Sequence, residues 1–177
     1  MLPPFEIFPE LRSNRISLNE MKLEHLEHVR EMLYYDGEPA HNDAAAMAMI
    51  KRIEGDYQAG STVNWLIIDL TTQEPIGSIG YYRGFEEMVG EIGFVLKEQF
   101  HGKGYMSEAL KLVVEFGEKT LDLDRIIAIT KPENKPAIRL LERGGFRYIE
   151  VFEEVYVEYE YQKIELRQAQ FKVKSEK

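Results

Sequence analysis

The chain contains no cysteine. That excludes disulfide bonds, thiolate nucleophiles and cysteine-ligated metals from its chemistry. It also lacks long apolar runs, none approaching the ~18 residues that a membrane-spanning helix needs. The opening residues, MLPPFEIFPE, hold neither a basic stretch nor an apolar core, so no secretory leader is expected and the expected compartment is the cytoplasm. Positive charge is scarce: 22 Lys and Arg stand against 31 Asp and Glu, a net charge of −9. A protein that grips nucleic acid wants a basic face, so nucleic acid is not an expected partner, and neither is a membrane. Histidine is too sparse for a metal site: His25 and His28 share one helical face with no third ligand placed near them.

What is present suits an ordinary globular protein. The 177 residues are 44% hydrophobic and 30% charged, enough for one domain with a real core. The expected unit is a single domain over 1–177, with an extended lead-in over about 1–10 and a frayed tail over about 170–177. RISL (Arg15 to Leu18) reads as a short strand. Leu23, Leu26, Val29 and Leu33 recur at helical spacing and predict a helix from Lys22 to Leu33. A polar loop follows from Tyr34 to His41, and Asp43 is the expected cap of a second helix with an inner stripe of Met47, Ile50, Ile53 and Tyr57. The period then changes. NWLIIDL and PIGSIGYY are strands joined by the turn Thr71 to Glu74, and EIGFVL is a third. A helix with inner face Met106, Ala109, Leu110, Val113 and Phe116 comes next, then the strand RIIAIT. KPENK leads into a helix through Ile138, Leu140 and Leu141 that ends at Gly144-Gly145. FRYIEVF and VYVEYEYQKIEL close the chain as strands. The order predicts a mixed α/β (α+β) domain on one central sheet.

Between EIGFVL and the following helix lies QFHGKG, with Gly102 and Gly104. A strand that runs into a helix N-terminus leaves backbone N–H groups without partners, and the helix dipole makes them attractive to phosphate. Two familiar phosphate loops fail the test. A P-loop needs glycine where Lys97 stands and Ser or Thr where Gly104 stands; a dinucleotide fingerprint needs glycine where Ser107 stands.

Q-x-x-G-x-G, here Gln99 to Gly104 directly after EIGFVL, does match a known pattern. It resembles the coenzyme A pyrophosphate loop of the GNAT superfamily of acyl-CoA-dependent N-acyltransferases. ELRSNRISL, EPIGSIGYY, GEIGFVL, GKGYMSEAL and NKPAIRLLERGGF resemble, in order, the blocks of its RimJ/RimL-like branch. The resemblance implies a mostly antiparallel sheet splayed between its fourth and fifth strands, EIGFVL and RIIAIT, with helices on both faces. Acetyl-CoA is the implied co-substrate. Its pantetheine arm would pair with backbone of Phe94, Val95 and Leu96, near Gln99. Its pyrophosphate would lie on N–H groups from His101, Gly102, Lys103, Gly104, Tyr105 and Met106. Asn134, which would otherwise read as a helix cap, matches a family position whose amide reaches the pantetheine or acyl end, and the resemblance favours that site role.

In such enzymes an amine attacks the thioester directly. The resemblance makes Glu91 the first candidate for the base and a backbone N–H near Val95 the oxyanion donor. Glu87, Tyr81 and Tyr156 are weaker options. The family's usual acid Tyr falls on Leu141 and the branch's Ser falls on Ala137, so both positions line the cofactor end without a proton to give. The expected activity is N-acetylation of a primary amine, at a peptide N-terminus or on a small molecule, with a possible homodimer. An acyl-CoA-binding sensor or scaffold without turnover is the alternative.

Overall fold

The computed structural model describes residues 1–35 and 38–163. The expected frayed tail, the last strand beyond Lys163 and the loop residue Gly37 therefore lie outside the described residues. Eight strands form one sheet: β1 (Leu11–Arg12), β2 (Ile16–Glu20), β5 (Val63–Asp69), β6 (Pro75–Tyr82), β7 (Val89–Leu96), β8 (Arg125–Thr130), β9 (Phe146–Phe152) and β10 (Tyr156–Tyr161). Their spatial order is β1-β2-β5-β6-β7-β8-β10-β9, and a two-stranded hairpin, β3 (Tyr34–Tyr35) with β4 (Glu38–Pro39), stands apart. Every pairing in the large sheet is antiparallel except β7 with β8.

That exception positions the site. The parallel register runs only from Val89↔Arg125 to Glu91↔Ile127. Beyond it β7 stays on β6 as far as Leu96, while β8 from Ile127 to Thr130 pairs with β10. The two strands share three residue pairs and then part, which opens the expected cleft between EIGFVL and RIIAIT.

Side chains alternate across the sheet and bury two cores. Trp65, Ile79, Tyr81 and Ile92 face α3 (Tyr105–Phe116) and α4 (Lys135–Arg143). Leu66 and, less completely, Val95 face α1 (Leu26–Val29) and α2 (Asp43–Gln58). Helices thus cover both faces, as expected. The predicted inner residues of α3 are all buried. The lead-in is irregular but docked: Phe5 packs on Phe116, Phe8 on Trp65, and the Trp65 indole donates to the Pro9 carbonyl at 2.6 Å.

Three local expectations are corrected. The helix expected over Lys22 to Leu33 is broken into a 3-10 turn (Leu23–His25), the single turn α1, and another 3-10 turn (Arg30–Met32). Of the helical stripe, Val29 and Leu33 are buried and Leu26 packs against them, but Leu23 is 40% exposed, and Met32, outside the stripe, is buried beside Leu33. A continuous helix would swing one of those two about 100° away from the other. The polar loop that follows holds the β3–β4 hairpin. The cap of α2 is Asn42, not Asp43; its side chain accepts from the Ala45 N–H at 2.8 Å.

Candidate active site

The glycine loop turns from β7 to α3 through a 3-10 turn (Glu98–Phe100) and two residues with positive φ, Gly102 at 71° and Gly104 at 82°. Gly104 is the N-cap of α3, and no side chain caps it. The first helical bond runs from the Glu108 N–H to the Gly104 carbonyl at 3.1 Å. The N–H groups of Tyr105, Met106 and Ser107 are thus the helix's unpaired donors. A Cβ at Gly104 would stand 3.2 Å from Arg15 Nη2, so the loop is closed tightly against that arginine.

Distant parts of the chain hold this turn. Arg15 Nε donates to Glu108 Oε1 at 2.6 Å, its Nη1 donates to the Lys103 carbonyl at 3.0 Å, and the guanidinium lies 4.8 Å from the centre of the Tyr105 ring. The Tyr105 hydroxyl donates to Asp69 Oδ2 at 2.8 Å. Burial pushes the Asp69 carboxyl up, but hydrogen bonds from the Thr71 N–H and from Tyr105 outweigh it and hold the group below the usual range. His101 Nε2 donates to the Leu96 carbonyl at 2.8 Å, which fixes the near side of the loop.

A cavity of about 920 Å³ lies along the loop. Its wall includes ten of the expected cofactor residues: Phe94, Val95, Leu96, His101, Gly102, Gly104, Tyr105, Met106, Asn134 and Ala137. Gln99 and Lys103 are not on it. Gln99 is exposed, and the Lys103 ammonium lies 5.6 Å from the Phe100 ring centre. Leu141 lines a second cavity, of about 610 Å³, instead. The two cavities share Tyr34, Phe94, Val95, Asn134 and Ala137, so they meet across the splayed strands. Asn134 is a helix cap, its Oδ1 accepting from the Ala137 N–H at 3.3 Å, and it stands at this junction.

Val95 needs a correction. The Lys97 N–H donates to the Ile76 carbonyl of β6 at 2.9 Å. Backbone groups alternate sides along a strand, so the Val95 N–H also points at β6. The Val95 carbonyl agrees, lying 2.5 Å from where a Cβ on Gly77 would be. The N–H groups of Phe94 and Leu96 are the ones that face the cleft.

Glu91 is on the wall of the second cavity, with a side chain 19% exposed. Burial raises its carboxyl above the usual range; the Arg83 guanidinium, 3.9 Å away, opposes this, and Glu158 adds to it. Tyr82, its partner on β6, also lines the cavity, and its ring lies so close over Gly93 that a Cβ there would be 2.9 Å from it. Burial pushes the Tyr82 hydroxyl up, against hydrogen bonds from the Ser78 and Asn64 side chains. The weaker catalytic options fall away. Tyr81 is a core residue whose hydroxyl donates to the Val113 carbonyl at 2.9 Å. Glu87 is exposed with φ at 52°, and neither it nor Tyr156 is on either wall. Sequence reasoning missed Tyr82, Arg15 and Asp69, which topology alone brings here, and Arg139 and Arg143, whose i,i+4 spacing was a usable signal.

A sheet split between a parallel strand pair, with a glycine loop at one end of the split, is the arrangement that the resemblance to the GNAT superfamily implies. The sequence matches the acetyltransferase (GNAT) domain family over residues 15–147. It is 31% identical over 145 residues to the uncharacterized N-acetyltransferase p20 of Bacillus licheniformis, covering 77% of this chain and 82% of that one. Against the uncharacterized N-acetyltransferase YnaD of Bacillus subtilis the identity is 43% over 72 residues, 41% of this chain and 42% of that one. The fold is similar to that of a putative ribosomal-protein-serine acetyltransferase from Vibrio cholerae, with a TM-score of 0.78 and 17% identity over 92% of this chain and all of the other. The chain belongs to the GNAT acetyltransferase family and is an acyltransferase.

Proposed function

We propose that the protein transfers an acetyl group from acetyl-CoA to a primary amine. The observation that carries this reading is the open edge of β7. Phe94 presents unpaired backbone, and Leu96 an unpaired N–H, to the cleft where the loop cavity meets the cavity that holds Glu91. The residues suit the donor: unpaired N–H groups at the start of α3 favour a pyrophosphate, and the strand edge accepts an extended pantetheine.

Acetyl-CoA supplies an activated thioester, so that the amine forms the new C–N bond as the C–S bond breaks and the thiolate leaves. In this scheme Glu91 takes the proton from the attacking amine, directly or through one water. Its raised pKa moves it toward the operating pH, which improves a base. A Phe94 or Leu96 N–H donates to the carbonyl oxygen as charge builds there. The second cavity's wall carries Glu86 and Glu91 against Arg83, an acidic balance that favours a cationic acceptor.

Initial rates of free-thiol release from acetyl-CoA, screened over peptide N-termini, amino acids and small amines, test the reading. Release with at least one primary amine is expected, together with a mass gain of one acetyl group on that amine. Acetyl-CoA binding with no transfer to any amine would favour the sensor reading.

A further inference from the structure

We propose that Arg139 and Arg143 form a phosphate subsite that recognises the 3′-phosphate on the nucleotide of coenzyme A; the proposal rests on the acetyl-CoA reading above. Both arginines are on α4, both are exposed, and both line the 920 Å³ cavity opposite the glycine loop. Their i,i+4 spacing puts the two guanidinium groups on one face of the helix, where like charges repel and cost helix stability.

Arg15, Arg30, Arg83 and Arg125 each face a carboxylate, whereas no carboxylate among the described residues stands within ion-pair distance of Arg139 or Arg143. Among the described residues Arg12 and Arg147 also lack an ion pair, but neither is on the wall of this cavity. A helix C-terminus favours one cation, which accounts for Arg143 in the last turn and leaves Arg139 unexplained. In a chain of net charge −9, a repelling cationic pair on a cavity wall calls for an anion.

Position along α4 selects which anion. Asn134, the N-cap, stands at the junction with the Glu91 cavity, the thioester end. At 1.5 Å per residue, Arg139 and Arg143 lie about 7.5 and 13.5 Å further out along the helix axis. The pyrophosphate already has the N–H groups of α3 on the facing wall. The remaining anion of the nucleotide is a phosphate monoester, close to a dianion at neutral pH, and two guanidinium forks suit its oxygens.

Isothermal titration of the full chain with coenzyme A and with 3′-dephospho-coenzyme A tests this without turnover. Wild type should bind coenzyme A about tenfold more tightly, a preference that shrinks in 0.5 M salt as the ion pairs are screened. The double variant Arg139→Gln/Arg143→Gln should bind both ligands alike, with the dephospho affinity unchanged; that unchanged affinity also reports an intact fold. Equal affinities in wild type, or a preference that survives in the double variant, would overturn the subsite while leaving the acetyl-CoA reading standing. Failure of wild type to bind either ligand would overturn both.

Discussion

Arg15 Nη1 donates to the carbonyl of Lys103 at 3.0 Å, across 88 residues of sequence. With its bond to Glu108 and its place over Tyr105, one guanidinium spans both sides of the Gly104 turn. The first strands of the sheet therefore brace the loop whose N–H groups must all point one way. An ion pair this exposed contributes little to global stability, typically under ~1 kcal/mol. Its value is in ordering the loop before a ligand arrives, which lowers the cost of binding.

Arg15→Ala should therefore raise KM for acetyl-CoA by about three- to tenfold and leave the melting temperature nearly unchanged. Acetyl-pantetheine, which has no pyrophosphate, separates the two roles: its kcat/KM should be the same in wild type and variant. An equal loss with both donors would mean that Arg15 supports the fold in general and not the phosphate loop.

Gly102 allows charge and backbone strain to be told apart. Its φ is 71°, yet a Cβ built there meets nothing within 4 Å. Gly102→Ala bears only the left-handed backbone cost, about 1–2 kcal/mol. Gly102→Glu bears the same cost and adds a carboxylate where a pyrophosphate would lie. Acetyl-CoA affinity should fall at least tenfold further in the glutamate variant than in the alanine one, since each ~1.4 kcal/mol is tenfold. Equal affinities, measured by titration calorimetry, would place the phosphates elsewhere.

Glu91→Gln should move activity and stability in opposite directions. Burial raises this carboxyl, so folding disfavours its charged form. The group's contribution to stability is then full below the unfolded pKa, ~4.3, and is lost as pH rises through the higher folded value. Glutamine does not ionise. Wild type and variant should melt together near pH 4, and the variant should pull ahead by pH 8, by roughly 2–4 °C per kcal/mol recovered. Turnover at neutral pH should drop about 10²–10⁴-fold, and the loss should shrink as rising pH deprotonates the amine unaided. A variant that melts below wild type at pH 8 would mean that the Arg83 pairing outweighs burial.

The parts of this fold that a linear reading recovers are those decided locally. PIGSIGYY, RIIAIT and FRYIEVF match β6, β8 and β9 residue for residue, because strand-forming residues there are bounded by turn residues. The glycine loop was legible for the same reason. α1 was not, since packing against α2 and the sheet overrode a helical pattern that was real. Glu158 reads as a solvent-facing member of an alternating strand, yet it is 8% exposed because Arg125 crosses to it at 3.1 Å. The direction of the Val95 N–H depends on strand parity relative to β6, which follows only from the pairing register. Arg15, Asp69 and Tyr82 reach the site through topology, and no spacing in the sequence announces them.

The absence of a family acid at Ala137 and Leu141 should not silence the enzyme. Both side chains are buried in the cavity walls, at 8% and 1% exposure, and neither has a proton to give. A thiol with pKa ~8.5 leaves as thiolate with little help near neutral pH, and water suffices for the rest. Tyr82, whose hydroxyl is pushed up by burial, keeps its proton and serves better as a hydrogen-bond donor than as an acid. Ala137→Ser and Leu141→Tyr should each raise turnover by about tenfold at most, below the usual range for acid–base catalysis. Leu141→Tyr must also find room for its ring, so its melting temperature should be read beside its rate. If wild type releases no thiol with any amine, and either substitution switches release on, the native chain is an acyl-CoA-binding protein without turnover, and the missing acid is the reason.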